Sequence, residues 1–307
     1  ITGGQLTGGA GCASGNPNLS PETSVMKNLG FTWEPGGALD GLSVSLDYQT
    51  IEYTDRIRTL SNPETVDAQF TRMLQAIGSS EDGYDPTPGS ATRNAANAWL
   101  ASQDNTGAGG VIRDLAGNQS VLRVIRQANN ISTVWIDLFD GKIDYRFSTD
   151  NWGTFATSLS ASYFKKYEYE DLFGGVKDAL GYQNANSGVV PPLPKVKAQL
   201  RGNWFMGNQS ASLTAAYQHS VIFDDSVNNL FSKFPADDVI EAQTIVNAQY
   251  AYAFNDLFGS EVVVSGGIRN LFNQLPQRLP ILGGFESRLH QPWGRQFWMS
   301  IDWTPGF

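Results

Sequence analysis

The sequence predicts an all-β fold and, within that class, the wall of a transmembrane antiparallel β-barrel. Three observations carry the prediction. Apolar and polar residues alternate along about nine segments. The connections between those segments are short and long in strict alternation. Tryptophans gather at the short-turn ends, where an interfacial girdle lies.

The first segment, about Ser24 to Trp33, sets Val25, Leu29, Phe31 and Trp33 on one face, with Lys27 as an exception. The second, Leu42 to Tyr53, opposes Leu42, Val44, Leu46 and Tyr48 to Ser43, Ser45, Asp47 and Gln49, then changes phase at Thr50 as a bulge or a membrane boundary does. The third, Thr133 to Phe147, changes phase near Asp140 and Gly141 and ends with Ile143, Tyr145 and Phe147 against Lys142, Asp144 and Arg146. The fourth, Gly153 to Tyr167, opposes Phe155, Leu159, Ala161 and Tyr163 to Ser158, Ser160 and Ser162.

The fifth and sixth are the clearest. Val196, Ala198, Leu200, Gly202 and Trp204 alternate with Lys197, Gln199, Arg201 and Asn203, and after the turn FMGN the pattern resumes with Ala211, Leu213, Ala215 and Tyr217. The seventh, about Ile240 to Tyr252, carries Val246, Ala248, Tyr250 and Tyr252. The eighth, Glu261 to Asn270, carries Val262, Val264 and Ile268, and the ninth, Arg295 to Trp303, opposes Phe297, Met299, Ile301 and Trp303 to Gln296, Ser300 and Asp302.

The short connections, EPGGALDG, STDNW, FMGN and NDLFGS, have the Gly, Asn, Asp and Pro content of tight turns. Residues 1–23, 54–132, 168–194, 220–239 and 271–294 form the long ones, read as external loops. Trp33, Trp152, Trp204, Tyr252 and Trp303 sit at the short-turn ends, while Tyr48, Tyr53, Tyr163, Tyr167 and Tyr217 fall toward the long loops as a second girdle. A half-buried strand of a soluble β-sandwich alternates in the same way. Loop asymmetry and the placement of the tryptophans favour lipid as the cover of the apolar face.

Composition narrows the function. The 307 residues are 41% hydrophobic and carry a formal charge of −9, with no Lys/Arg cluster, which argues against nucleic acid as a partner. A single cysteine, Cys12, allows neither an intrachain disulfide nor a Cys-x-x-Cys zinc site. No apolar run approaches the ~18 residues of a membrane helix. The opening ITGGQLTGGAG lacks an initiating Met, so the expectation is the C-terminal piece of a longer protein.

GNPNLSPETSVMKNLGFTWEP, Gly15 to Pro35, resembles the loop-to-strand motif of TonB-dependent receptors, and LDGLSVSLDYQTIEYTDRI, Leu39 to Ile57, resembles their next strand. GGIRNLFNQLP and GRQFWMSIDWTPGF are similar to the penultimate and last strands of that family. The resemblance spans essentially the whole chain. It implies a barrel of about 22 strands with a plugged lumen, of which these are strands fourteen to twenty-two, the plug and the first strands being absent. It implies TonB-dependent uptake of a scarce nutrient, such as a ferric siderophore, oligosaccharide or peptide, across the bacterial outer membrane. The partners so implied are the plug and remaining strands, TonB with ExbB and ExbD, and outer-membrane lipid and lipopolysaccharide; the C-terminus is then periplasmic and the long loops extracellular. It also implies that Cys12 has a disulfide partner in the missing part.

On this reading Lys142, Asp144, Arg146, Lys197, Arg201, Arg269 and Asp302 face the lumen, against the plug or along a ligand path. Phe297, Met299, Ile301, Trp303 and Phe307 resemble the family's C-terminal assembly signal. Tyr84, Trp99 and Arg113 are ligand candidates in the longest loop. Glu81, Asp82 and Asp85 lack EF-hand spacing and read as a solvated loop. Residues 63–78 (Val66, Phe70, Leu74, Ile77) and 91–101 have helical character, the first an amphipathic helix packing on its own loop. His219 and His290 are isolated, GAGG at 107–110 lacks a nucleotide-site context, and no catalytic, cofactor or metal site is expected. Two other readings stay open: a passive porin or structural barrel, separable by open-channel conductance, and a soluble all-β carbohydrate-binding protein, separable by extraction without detergent.

Overall fold

The computed structural model describes residues 12–14, 16–59, 70–102, 111–114, 121–130, 132–170, 175–185, 190–223, 239–257, 259–281 and 283–305. Nine strands pair in one antiparallel path in which every spatial neighbour is also the neighbour in sequence. They are β1 (Thr23–Trp33), β2 (Leu42–Thr54), β3 (Val134–Thr149), β4 (Gly153–Glu170), β5 (Val196–Met206), β6 (Gln209–Gln218), β7 (Gln243–Leu257), β8 (Ser260–Arg269) and β9 (Gln296–Thr304). Among the described residues the sheet does not close, and β1 and β9 are its edges.

Register fixes the faces, because residues paired across antiparallel strands stand on the same side of a sheet. One row runs Ile143, Leu159, Leu200, Ala215, Val246, and another runs Phe147, Phe155, Trp204, Ala211, Tyr250, Gly266, Met299. The rows between them are polar: Asp140, Ser162, Lys197, Gln218, Gln243, then Lys142, Ser160, Gln199, then Asp144, Ser158, Arg201, Thr214, Asn247. Among the described residues the apolar face has no cover: Leu213 is 46% exposed, Met299 and Phe297 are each 72% exposed. A soluble sandwich buries that face against a second sheet.

The apolar side chains of β3 change face near Asp140 and Gly141, as expected: Val134 and Leu138 are buried on the face of Asp140, and Ile143 and Phe147 are exposed on the other. Pairing with β4 is continuous through Asp140 and Gly141, and the register shifts between Asp137 and Leu138. Tyr167 on β4 is buried as well, so the apolar pattern slips where the strand meets the loops. The strand ends otherwise move by a few residues: β4 extends past Tyr167 to Glu170, and the seventh segment divides into Val239–Ile240 and β7. The two-residue turn joining β5 to β6 holds Gly207 at φ 56°, and Gly153 opens β4 at φ 76° against the Phe205 carbonyl, where a side chain has no room.

The chain divides into two compact units. One holds residues 1–24, 53–133 and 170–177. There Phe70, Met73, Leu74 and Ile77 of the helical turn at 70–76 pack with Ala96 and Trp99 of α1 (Ala91–Ser102), so this loop has its own core as its amphipathic pattern predicts; Val66 lies outside the described residues. The second unit holds the remainder, including most of the sheet, and its buried cluster is Val221, Phe223, Ile240, Leu279 and Leu289 from the connections after β6 and β8.

Candidate functional site

Register places Lys142, Asp144, Arg146, Lys197, Arg201 and Arg269 on the polar face of the sheet, and Asp302 on the same face of β9. From Thr154 to Ser162 β4 carries only small side chains on that face, Thr154, Ala156, Ser158, Ser160 and Ser162, while β3 and β5 on either side carry the long charged ones. The face is therefore furrowed. One hollow of about 460 Å³ is lined by Lys142, Asp144, Arg146, Ser158, Arg201 and Asn203. A second, of about 580 Å³, is lined by Asp47, Asp140, Ser162, Lys197, Gln218 and Gln243.

Three acids of this face are committed. Asp144 is paired with Lys142 at 2.7 Å. Asp140 accepts hydrogen bonds from the Gln49 amide and the Ser162 hydroxyl, and Asp302 accepts one from the Ser300 hydroxyl at 3.1 Å. Arg146 and Arg201 have no side-chain partner among the described residues.

Polar pins shape the loops at the sheet's upper rim. Asn270 is buried at φ 52°; its amide nitrogen donates to the Gln274 and Trp293 carbonyls and its oxygen accepts from the Gln274 N–H, so it ties together both ends of the 271–294 loop. In the same loop the Glu286 carboxylate is buried, receiving a fork of hydrogen bonds from Arg288 at 2.8 and 2.7 Å and one from the Gln183 amide at 2.8 Å. Burial alone raises its pKa and is the largest single influence, but the bonds from Arg288, Gln183 and the Arg288 backbone together outweigh it and hold the carboxyl below its ordinary value. His290 is buried with Nε2 2.9 Å from the Glu241 carbonyl, and His219 Nδ1 lies 2.8 Å from the Tyr217 hydroxyl. Both histidines are loop anchors.

In the first unit, two of the sequence motifs meet. Glu22 accepts hydrogen bonds from the Tyr53 hydroxyl and, at 2.7 Å, from the Ile57 N–H; these two bonds, in that order, lower its pKa. Asn16 bonds the Ala128 carbonyl, and Asn130 exchanges bonds with the Ser20 backbone. Asp85 accepts from Thr87, which lowers its pKa and turns the 79–90 loop inward on itself. Among the described residues no cluster of His, Cys, Asp and Glu has the makings of a metal site.

Tyr84 stacks edge-on against Phe70 at 5.6 Å and Trp99 packs on the Met73 and Leu74 cluster, which gives both a packing role. Arg113 belongs to the strand Val111–Asp114, its backbone opposite Leu122; its side chain lies outside the described residues, as does Phe307. Sequence reasoning missed Asn270, Gln183 and Glu286. The run Asn270 to Gln274 held a signal, since Asn tolerates left-handed backbone, whereas Gln183 and Glu286 are separated by 103 positions.

Residues 2–271 match the family described as TonB dependent receptor-like, beta-barrel. Among solved structures, the chain is similar to a ferric enterobactin receptor mutant, PfeA of Pseudomonas aeruginosa, in complex with enterobactin, at 17% identity and TM-score 0.55, over 95% of this chain and 34% of that one. It is similar to the outer membrane transporter YddB of Escherichia coli at 11% identity and TM-score 0.53, over 92% and 33%. The siderophore receptor PirA of Acinetobacter baumannii matches at 13% identity and TM-score 0.51, over 94% and 33%. The chain thus spans about a third of the length of these structures. Comparison with curated proteins returns no significant match.

Proposed function

The chain belongs to the TonB dependent receptor-like β-barrel family, and from that premise we propose that it is the C-terminal part of the wall of an outer-membrane transporter taking up a scarce nutrient. The observation that carries this reading is the alternation of uncovered apolar rows with polar rows from β3 to β9, in a nine-strand path whose two edges are unpaired among the described residues. In hydrocarbon an unpaired strand edge leaves backbone groups unsatisfied at several kcal/mol each, so further strands complete the barrel. The apolar rows lie against lipid, the polar rows against a plugged lumen. The connections after β2, β4, β6 and β8 are extracellular and meet lipopolysaccharide, and the C-terminus is periplasmic. TonB, with ExbB and ExbD, supplies the energy through the plug. The exposed Phe297, Met299, Ile301 and Trp303 of β9, with Phe307, serve as the assembly signal.

The nutrient is a ferric siderophore, an oligosaccharide or a peptide. The test follows the chain's abundance in detergent-extracted outer membranes from cells grown iron-starved, on a polymeric glycan, or on peptide. A rise in one condition assigns the nutrient class. Recovery of the chain in the buffer-soluble fraction alone refutes the barrel, and an open channel in planar bilayers refutes the plugged transporter in favour of a porin.

A further inference from the structure

We propose that the furrow along β4 is the seat of an extended, carboxylate-bearing segment of the protein's own lumenal domain, clamped between Arg146 and Arg201. The inference rests on the barrel reading and adds a specific contact to it. Its floor is the run Thr154, Ala156, Ser158, Ser160 and Ser162, the small inner side chains of β4. At ~3.4 Å per residue that run is about 27 Å long, and the flanking strands are roughly 10 Å apart, twice the ~4.8 Å strand spacing. These are the dimensions of one extended chain lying along the strand. The two hollows share Lys142, Ser160 and Gln199, so the furrow is continuous.

Charge decides the occupant. The chain as a whole is acidic, at −9, but the middle of the furrow is cationic. Register puts Arg146 opposite Ala156 and Asn203, and Arg201 opposite Ser158, so the two guanidiniums stand on opposite banks of β4, one row apart. Asp144, the acid within this hollow, is engaged by Lys142. Each guanidinium presents a planar fork of donors that fits a carboxylate two bonds at a time. The Ser and Asn side chains between them suit backbone amides. A diffusible anion does not need a floor about 27 Å long; an extended segment does.

The experiment uses the full-length receptor carrying Arg146→Glu with Arg201→Glu, compared with Arg146→Lys with Arg201→Lys. Heat-modifiable mobility in outer-membrane fractions reads barrel assembly, and planar-bilayer conductance reads lumen occlusion. Charge reversal of a desolvated pair is expected to raise the open fraction at least about 30-fold while the lysine pair stays near wild type. An assembled double-Glu receptor as occluded as wild type overturns the proposal. So does a change confined to the KM of uptake, which makes the pair a subsite for a diffusible anion. Absence of heat-modifiable barrel in the unmutated receptor refutes the barrel reading instead. Independently of charge, Gln199→p-benzoylphenylalanine is expected on irradiation to give an internal cross-link to an acidic stretch of the lumenal domain; a receptor that yields no such link overturns the seat.

Discussion

Asn270 offers the sharpest test of how the upper rim is held. Its side chain makes three hydrogen bonds, two donated to the Gln274 and Trp293 carbonyls at 2.9 Å and one accepted from the Gln274 N–H at 2.8 Å. The residue is only 4% exposed, so water does not replace those partners. At about 1 kcal/mol per bond the side chain contributes roughly 3 kcal/mol to loop closure. Its φ of 52° adds a second effect: a residue with a Cβ and no local polar compensation strains there by about 1 kcal/mol. Asn270→Ala should therefore open the 271–294 loop by about 4 kcal/mol and Asn270→Gly by about 3 kcal/mol. Native-state hydrogen exchange at the Leu279 and His290 amides, which are bonded to Gly284 and Glu286 within the loop, reads the difference. Protection should fall roughly 1000-fold in the alanine variant and roughly 100-fold in the glycine variant. Equal losses in the two variants would refute the strain argument, and losses below about tenfold would refute the pin itself.

Protonation of Glu286 is the second expectation: because its folded pKa lies below the ordinary carboxyl value, its contribution is fully present above about pH 4.3, the unfolded value, and is lost as pH falls through the folded value. Protection factors of the same loop, corrected for the intrinsic exchange rate, should therefore fall below that pH in the wild type and lose this dependence in Glu286→Gln. On the wall, Leu213→Arg should destabilise the assembled barrel by about 2–4 kcal/mol, while Thr214→Arg on the polar face should cost close to nothing; equal stabilities of the two on urea titration would count against the facing. In the first unit, Glu22→Ala removes the acceptor of the Ile57 N–H and the Tyr53 hydroxyl, so trypsin should cut the 54–132 segment faster, and an unchanged rate would show that the motif's staple is idle.

The wall was legible because period-two alternation is a local property. Lys197 to Trp204 already separates the two faces, and every pairing of β5 with β4 and β6 keeps that separation. The register shift between Asp137 and Leu138 was not legible because an apolar pattern slips for two reasons, a bulge or a change of surroundings, and at the top of β3 both occur. The loops were opaque for a different reason. Phe223 and Leu289, or Gln183 and Glu286, meet only when three connections fold over one another, and nothing in the spacing of either residue announces the other. The polar-face residues were found as a set, but the furrow between them was not, because it depends on the small side chains of β4 standing between long ones on β3 and β5. Tyr84 and Trp99 read as ligand aromatics because an aromatic in a loop carries no mark of what it packs on.

The central claim is that one face of the sheet meets lipid and the other a wet lumen. The direct measurement places a spin label at each position from Lys197 to Trp204 in turn, in a Cys12→Ser background of the full-length receptor, and records collision rates with oxygen and with a water-soluble nickel chelate. Oxygen should dominate at Ala198, Leu200, Gly202 and Trp204 and the chelate at Lys197, Gln199, Arg201 and Asn203, in strict alternation. A profile in which oxygen and chelate accessibility rise and fall together along β5, with no period of two, would contradict the membrane wall.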